Sequence, residues 1–276
     1  MKSTVVLTFT YPSVKEYFDE FLKSMNAQIE RNFDLIIVND GLNEVADIVR
    51  DFPLLDISIF NCEKTPAKNR EFGLRLVKKK GYKYCILADS DDCFSENRVA
   101  DSVKCLQNSD IVVNDLTISN SEGTILVEKY FSKRLVDGYI IPCEFLREKN
   151  ILGFSNTAFK TELIDSDIII PEDLTIVDWY FYTLLLNKGC KATFTSNSIT
   201  YYRQSDNNII GINNVSEEKY MRRYMLKREH YLYLSRVMPG FDDLLLQYGE
   251  SEESYKRQFC KFINSHIENP FWWEEI

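Results

Sequence analysis

Histidine is scarce in this sequence, and the cysteines form no paired motif. Among 276 residues there are two histidines, His230 and His266, and seven cysteines that are odd in number, widely spaced and never arranged as CxxC. Zinc sites are built mainly from these two residue types at short spacings, so the composition argues against a zinc centre. The scattered cysteines indicate free thiols in a reducing compartment.

Long apolar runs and an excess of basic residues are also missing. No stretch approaches the roughly 18 apolar residues that a membrane span needs, and the N-terminal segment MKSTVVLTFTYPS is typical of a buried strand rather than of a signal peptide. The 42 acidic and 33 basic residues give a net charge of -9, whereas nucleic-acid binding depends on clustered Lys and Arg. The sequence therefore predicts a cytoplasmic protein with no nucleic-acid partner.

Glycine-rich nucleotide loops are absent as well. Neither GxGxxG nor GxxxxGK followed by Ser or Thr occurs, so the chain lacks the phosphate cradle of a dinucleotide-dependent dehydrogenase or a P-loop ATPase. A calcium loop of the EF-hand type beginning at Asp89 is excluded too. It would put Phe94 where glycine is required and Ala100 where the bidentate glutamate belongs.

What the sequence does contain is a series of short apolar strands separated by helical patterns. The predicted strands are TVVLTFT (4–10), DLIIVND (34–40), LDISIFN (55–61) and YCILAD (84–89), and the predicted helices span 13–28, 43–50 and 66–80. Ser13 is the predicted N-cap of the first helix. Apolar strands that alternate with helices are typical of a parallel sheet covered on both faces, so we expect an α/β fold.

Polar residues follow each predicted strand. The strand ends carry Thr8 to Tyr11, Asn39-Asp40-Gly41, Glu63-Lys64 and Asp89-Ser90-Asp91-Asp92. Ligands of open α/β sheets bind beyond the carboxyl ends of the strands, and Mg²⁺ or Mn²⁺ sites often combine one or two carboxylates with substrate phosphate oxygens. The aspartate-rich segment therefore predicts a divalent-cation site, although a polar turn with a helix cap would use the same residue types.

The order of these segments resembles family 2 glycosyltransferases of the GT-A fold. The residues that carry the resemblance are VVLTFTYPSVKEYFDEFLKSMNAQIERNFDLIIVNDG (5–41), AKNREFGL (67–74) and YCILADSDD (84–92), and the resemblance covers roughly residues 3–205. It implies an open, mixed, mostly parallel sheet flanked by helices. It also implies a nucleotide-diphosphate sugar donor, with Mn²⁺ or Mg²⁺ held at the DXD motif.

By the same resemblance, Asp91 or Asp92 would bind the metal, and the choice between them stays open. Asp40 would accept a hydrogen bond from the base, or else be a turn-forming residue before Gly41. Lys68 stands in place of the usual Arg, and Lys68 or Arg203 would meet the charge of the leaving group. The residues implied in donor binding are Thr8, Thr10, Tyr11, Asp40, Lys68, Asp89 and Ser90.

A further carboxylate lies in IPEDLTIVDWYFYTLLLNKG (170–189), just ahead of an apolar helical segment. Family members carry Glu-Asp-Trp at this point, and the Asp is the catalytic base of inverting enzymes. Val177 replaces the Glu here, so the resemblance implies Asp178 as catalytic base, with a helix cap as the alternative. Glu172 and Asp173 are reserve candidates.

Two later segments resemble the acceptor side of the family. In LGFSNTAFKTELI (152–164), Ser155 and Asn156 are candidates to reach the substrate. ITYYRQSDNNIIG (199–211) is either a loop that orders over bound donor or a plain surface turn, and Ser205 follows where many relatives carry a metal-binding His. The QxxRW motif of processive synthases is absent, which favours a single transfer.

Beyond residue 215 the pattern changes, so we predict a GT-A domain over 1–215 and a helical appendage over 216–276. The basic residues of the appendage are candidates to contact an anionic membrane at its inner face, or to lie on a solvated helix packed on the core. Trp272 and Trp273 are candidates for core packing, for a homodimer contact or for an acceptor-stacking platform. The basic residues are Arg222, Arg223, Lys227, Arg228 and Arg236.

The function predicted from these features is a metal-dependent, inverting glycosyltransferase of the hexosyltransferase type. It would transfer a sugar to a hydroxyl of a glycan or lipid-linked acceptor in the synthesis of a bacterial-type surface polysaccharide or glycoconjugate. The alternative is a catalytically silent GT-A-like module that binds a nucleotide or a glycan, which Val177 and the missing His make conceivable. A nucleotidyltransferase is disfavoured, because the first strand is not followed by a glycine-rich basic loop.

Overall fold

The computed structural model describes residues 2–165, 168–204, 216–264 and 267–274. The strands within these ranges are β1 (Thr4–Thr10), β2 (Phe33–Asn39), β3 (Ile57–Asn61), β4 (Tyr84–Leu87), β5 (Cys93–Phe94), β6 (Ile111–Ser119), β7 (Ile125–Val127), β8 (Ile140–Ile141), β9 (Thr157–Lys160) and β10 (Ala192–Arg203). The helices are α1 (Lys15–Asn26), α2 (Val45–Ile48), α3 (Pro66–Lys80), α4 (Arg98–Cys105), α5 (Val177–Asn187), α6 (Glu217–Ser235), α7 (Asp242–Gln247) and α8 (Glu252–Ile263).

The strands form one sheet in the order β3-β2-β1-β4-β9-β6-β10-β5, with β7 and β8 paired to β6 and β10. β3, β2, β1 and β4 run parallel. β9 is antiparallel to both β4 and β6, and β10 is parallel to β6. The predicted α/β fold with a mixed, mostly parallel sheet is confirmed.

Side chains of β1 alternate between two apolar clusters on opposite faces of the sheet. Val5, Leu7 and Phe9 belong to the cluster that includes residues of α3 and α5, and Val6 belongs to the cluster that includes residues of α1 and α4. Because successive side chains of a strand point to opposite faces, a strand covered on both sides buries all of its side chains, and β1 does so with apolar residues and threonines.

Several predicted boundaries differ from the structure, and two of these differences have a clear local cause. Helix α1 begins at Lys15 after a 3₁₀ turn over Pro12–Val14, and no side chain caps it. Pro12 favours the start of this turn, which leaves Ser13 inside it instead of at a helix cap. The fourth strand ends at Leu87 rather than at residue 89, because the chain turns there and Asp92 N donates to the carbonyl of Asp89 (3.3 Å).

The C-terminal helices contact α5. The imidazole of His230, on α6, stacks on Trp179 with the ring centroids 4.0 Å apart. Arg223 and Lys227 are buried, so the basic run of α6 is divided between the interior and solvent. In the described ranges no helix is both long and apolar enough to cross a bilayer. The division of the chain at residue 215 remains a prediction.

Candidate active site

The segment 89–92, called the acidic loop below, is tied to the sheet by two of its own residues. Ser90 Oγ donates to the carbonyl of Phe9 at the end of β1 (2.7 Å). Asp92 is buried, and its carboxylate accepts hydrogen bonds from Ser155 Oγ and from Arg203 N (2.7 Å). The loop is therefore held by three strand ends that are distant in the sequence.

Beside the acidic loop lies a cavity of about 420 Å³. Its wall combines carboxylates, two arginines and several aromatic rings. The lining residues are Phe9, Tyr11, Ser13, Val14, Glu16, Tyr17, Arg70, Asp89, Ser90, Asp91, Asp92, Gly153, Phe154, Ser155, Thr175, Ile176, Asp178, Tyr202, Arg203, Trp272 and Trp273.

Arg70 is the arginine of α3 that faces the carboxylates of this cavity. Its Nη2 lies 3.7 Å from Asp89 Oδ1, and its guanidinium lies 4.0 Å from the ring centre of Phe9. Phe9 in turn packs where α3 carries Gly73, because a Cβ on that glycine would come within 2.8 Å of the ring. The glycine lets the helix approach β1 closely enough to place Arg70 over the acidic loop.

Burial raises the pKa of all three carboxylates of the acidic loop. Burial raises the pKa of Asp91 to about 6, the charge of Asp89 adds to the shift, and Arg70 opposes it. Burial also raises the pKa of Asp89, again against Arg70. For Asp92, burial and the two neighbouring aspartates raise the pKa well above its ordinary value. A cation placed here would relieve this crowding of negative charge.

Asp178 lines the same cavity from the first turn of α5. Its Oδ1 accepts the N–H of Trp179 (2.8 Å). Burial raises the pKa of Asp178 to about 7, and the charge of Asp89 contributes in the same direction. The residue at the cap position is Ile176, which makes no side-chain cap bond. A half-buried carboxylate with this pKa can accept a proton near neutral pH.

The other residues predicted for the nucleoside lie at the strand ends but differ in their access to the cavity. Tyr11 lines it, and burial together with Asp91 raises the pKa of its phenol. Thr8 and Thr10 are fully buried in β1, and within the described residues their hydroxyls have no hydrogen-bond partner. Asp40 lies outside the lining, and burial and Glu63 raise its pKa.

The turn after β2 is formed by Asn39 rather than by Asp40. Asn39 Oδ1 accepts the N–H of Leu42 (2.9 Å), and its amide nitrogen donates to Asn61 (3.0 Å). The carboxylate of Asp40 is thus not the acceptor that closes the turn before Gly41.

Lys68 points away from the cavity. Its Nζ donates to Glu71 and to the carbonyl of Ile170, both at 2.8 Å. Arg70, two residues later in the same motif, is the cation that reaches the acidic loop. Helical spacing puts residues 68 and 70 on opposite sides of α3, so only one of them can face β1, and the packing of α3 on the sheet decides which.

Among the acceptor-side candidates, Ser155 lines the cavity while donating to Asp92. Asn156 is buried and makes internal bonds to the backbone of Gly153, Ile151 and Asn114. The reserve candidates Glu172 and Asp173 are exposed and lie outside the lining. Ser205 and the loop residues up to Gly211 lie outside the described residues.

Arg98 is a second residue that sequence reasoning missed. It is fully buried, and its guanidinium donates to the carbonyls of Leu87, Ser155 and Thr157 and to Ser102 Oγ. It therefore joins the end of β4 to the segment that supports Asp92. No pattern in the sequence marks an arginine that donates to carbonyls of two separate segments.

Part of the cavity wall comes from residues 270–274, called the C-terminal strap below. Glu274 forms salt bridges with Arg134 and with Lys149 (2.9 Å). The backbone of Trp272 pairs with that of Asn150 in an isolated antiparallel β-bridge. The strap thereby places Trp272 and Trp273 in the cavity wall.

Within the described ranges, no group of three or more His, Cys, Asp or Glu side chains is placed to hold a metal ion. A site that takes two carboxylates and completes its shell with phosphate oxygens needs no such group. The donor set of the acidic loop, hard carboxylate oxygens beside a cavity, suits Mg²⁺ or Mn²⁺.

The chain is similar to several glycosyltransferases. Residues 3–166 match the family model Glycosyl transferase family 2. The dTDP-rhamnosyl transferase RfbG of Shigella flexneri is 23% identical over 231 residues, which cover 78% of this chain and 78% of that protein. The uncharacterized glycosyltransferase YwdF of Bacillus subtilis (strain 168) is 27% identical over 188 residues, covering 66% of this chain and 67% of YwdF.

Solved structures share the fold. S. aureus TarS 1–349 in complex with UDP-GlcNAc has a TM-score of 0.62 at 19% identity, over 97% of this chain and 77% of that chain. The mannosyltransferase PcManGT from Pyrobaculum calidifontis, in complex with GDP-Man and Mn²⁺, has a TM-score of 0.61 at 14% identity, over 97% and 77%. The chain spans 42% of a longer TarS structure. These likenesses confirm the GT-A fold, and because the family model covers more than half of the chain, the protein belongs to glycosyl transferase family 2 and is a glycosyltransferase.

Proposed function

We propose that the protein transfers a sugar, with inversion, from a nucleotide-diphosphate donor to a hydroxyl of a glycan or lipid-linked acceptor. One observation carries the proposal: a single cavity is lined both by the acidic loop and by Asp178, whose pKa is raised to about 7. A transfer of this kind needs a site for a charged diphosphate next to a base for the incoming hydroxyl, and the cavity offers both.

Asp91 and Asp89 are the residues that would hold a divalent cation. Asp92 already accepts bonds from Ser155 and Arg203, whereas within the described residues no other residue's N–H or O–H donates to the carboxylate of Asp91. When bound, Mg²⁺ or Mn²⁺ would neutralise the diphosphate of the donor. We therefore assign Asp91 as the main ligand and Asp92 as the residue that shapes the loop.

Asp178 would act as the base. It removes the proton from the acceptor hydroxyl, whose oxygen attacks the anomeric carbon while the bond to the diphosphate oxygen breaks. The nucleoside diphosphate leaves with the bonding electrons, and attack from the opposite side inverts the anomeric centre. Arg70 lies 3.7 Å from Asp89, where its charge can stabilise the departing diphosphate.

The relatives suggest which donor nucleotides to test. RfbG is named for dTDP-rhamnose transfer, and the solved structures contain UDP-GlcNAc and GDP-Man. Calorimetric titration of UDP, GDP, dTDP and CMP, with and without Mn²⁺, tests the donor site. We expect one diphosphate to bind only with the metal, Asp91→Asn to abolish that binding, and Glu96→Gln, an exposed carboxylate outside the cavity, to leave it unchanged.

Metal-independent binding, or binding that survives Asp91→Asn, would contradict the assignment of the acidic loop. Hydrolysis of the matching nucleotide sugar then distinguishes an enzyme from a silent binding module. An enzyme releases the nucleoside diphosphate slowly, whereas a silent module does not release it. Asp92→Asn is expected to lower the melting temperature as well as the affinity, since it weakens the bonds from Ser155 and Arg203.

A further inference from the structure

The two tryptophans of the C-terminal strap have different surroundings. Trp273 is buried and stacks on Trp179, with the ring centroids 5.7 Å apart. Trp272 is only partly buried, contacts Phe131 and Tyr202 with ring centroids at 5.5 and 5.8 Å, and lines the cavity. Both tryptophans line the cavity, but Trp273 is a buried member of the core, whereas Trp272 is the more exposed of the two.

Room for the indole of Trp272 is created by a glycine. A Cβ on Gly153 would lie 2.9 Å from two ring carbons of Trp272, which is closer than carbon atoms can approach. The backbone of Trp272 itself is fixed as well, because Asn150 N donates to the carbonyl of Trp272 (2.8 Å). A large apolar ring that packs against the core on one side is thus held rigidly at the cavity wall.

The C-terminal strap contacts residues next to both the acidic loop and the proposed base. Trp272 contacts Gly153 and Tyr202, which are close in sequence to Ser155 and Arg203, the two residues bonded to Asp92. Trp273 contacts Trp179, whose backbone N–H binds Asp178. The strap therefore spans from the partners of the acidic loop to the segment that carries the base, and an acceptor has to sit between these two points.

We propose that Trp272 is the platform on which the acceptor stacks, and that the acceptor is accordingly a sugar residue of a glycan or glycolipid. This inference rests on the function proposed above. The C–H bonds on one face of a pyranose ring match the electron-rich face of an indole, and its hydroxyls remain free to turn toward Asp178.

The charge of the cavity supports a neutral sugar over an anionic group. Five carboxylates line the cavity, and its two arginines are already engaged, Arg70 beside Asp89 and Arg203 in bonds to Glu20 and to the carbonyls of Asp91 and Ser121. A phosphate or carboxylate at the attacking end of the acceptor would meet this negative potential. The carboxylates are those of Glu16, Asp89, Asp91 and Asp178 alongside the buried Asp92.

The test measures glycoside binding directly, with the nucleoside diphosphate and Mg²⁺ at saturation. The probes are the methyl glycosides of α-L-rhamnose, α-D-mannose, β-D-glucose, β-D-galactose and N-acetyl-β-D-glucosamine, followed by saturation-transfer NMR and by tryptophan fluorescence. The variants are Trp272→Ala, Trp272→Phe and Gly153→Ala, and the last displaces the indole without removing it. Tyr201→Ala is the matched control, because Tyr201 is an exposed neighbour of Tyr202 that lies outside the lining.

We expect at least one glycoside to bind the wild-type protein, and Trp272→Ala to weaken its binding by about tenfold or more. Gly153→Ala should have the same effect, Trp272→Phe should retain most of the affinity, and Tyr201→Ala should change nothing. The affinity for the nucleotide should stay within about twofold in all four variants, since stacking concerns the acceptor alone.

The proposal is overturned if no glycoside binds the wild-type protein, if Trp272→Ala and Tyr201→Ala behave alike, or if Trp272→Ala weakens nucleotide binding as strongly as glycoside binding. A failure of the proposed function has a different signature. In that case the nucleotides would not bind even to the wild-type protein, whatever the glycosides do.

Discussion

Carboxylates that look alike in the sequence have unlike surroundings in the fold, and the surroundings decide what each can do. The carboxylate of Asp92 is occupied by hydrogen bonds from Ser155 and Arg203. Asp173 is exposed and lies outside the cavity. Asp178 is half-buried at the cavity wall, and its carboxylate accepts the backbone N–H of Trp179. Of these three, only Asp178 combines access to a substrate with a pKa, about 7, that suits proton removal.

Replacing Asp178 tests its role as base. Because a positioned base contributes about 10²- to 10⁴-fold to rate, Asp178→Asn should lower turnover by that amount while nucleotide affinity is retained. In the wild type the carboxylate has to be ionised to accept a proton, so the rate should fall as the pH drops below about 7. Release of nucleoside diphosphate between pH 5 and 9 measures both effects.

Asp173→Asn is the control for this experiment, since Asp173 is an exposed carboxylate of the same segment. Turnover near the wild-type level in Asp178→Asn, or a rate that is flat between pH 5 and 8, would assign the base elsewhere.

At the scale of elements, helix α3 shows how local signals and packing combine. Thr65 Oγ1 accepts the N–H of Lys68, Pro66 stands in the first turn, and Gly81 ends the helix with φ = 75°, all of which local chemistry predicts. Gly73 has a different cause. It lies in the middle of the helix, where glycine costs about 1 kcal/mol relative to alanine, and it is needed because the ring of Phe9 occupies the space of a side chain.

Gly73→Ala is therefore expected to destabilise the protein in spite of its higher helix propensity. The added methyl group would lie 2.8 Å from the ring of Phe9, and overpacking of this kind costs about 1–3 kcal/mol. The shift of α3 should also move Arg70 and weaken nucleotide binding. Urea unfolding and calorimetry measure the two effects, with Lys79→Ala, an exposed position of α3, as control; a Gly73→Ala protein more stable than wild type would contradict the argument.

At the scale of the whole molecule, the C-terminal strap connects chain segments that are far apart in the sequence. Burial tends to raise the pKa of Glu274, but hydrogen bonds from Arg134 and Lys149 outweigh it and hold the pKa at about 2. Lys227 of α6 donates to the carbonyl of Trp273 (2.9 Å). The strap is thus fastened at both tryptophans and at its acidic end.

Loss of the Glu274 clamp should lower stability in a pH-dependent way. Glu274→Gln is expected to reduce the free energy of unfolding by about 1–3 kcal/mol at pH 7, because two cations lose their partner. A lowered pKa stabilises the fold above the ordinary value of 4.5 and ceases to do so as the pH falls through about 2. The difference in the free energy of unfolding between wild type and Glu274→Gln should therefore disappear as the pH falls from 4.5 to about 2.

Urea unfolding at pH 7, 4 and 2.5 measures how this difference in stability changes with pH. Glu253→Gln, at an exposed glutamate of α8, should show no gap at any pH. A gap for Glu274→Gln that stays constant with pH would mean that the ion pairs add nothing to the stability of the strap.

Much of the fold could be read from local pattern. The apolar runs that became β1 to β4, the bounds of α3 and the polar strand ends all follow from side-chain periodicity and capping, which act over a few residues. The same patterns, together with the resemblance to the family, predicted the acidic loop and Asp178, and both line one cavity.

By itself, therefore, the sequence determined the class of the fold, the edge of the sheet where the cavity lies and the carboxylates that gather there. Tertiary structure alone decided that Arg70 rather than Lys68 faces the acidic loop. It also decided that the carboxylate of Asp92 accepts a hydrogen bond from Ser155 and that Trp272 lines the cavity. The physical reason is that each of these outcomes depends on contacts between residues far apart in the chain, and no local pattern encodes such contacts.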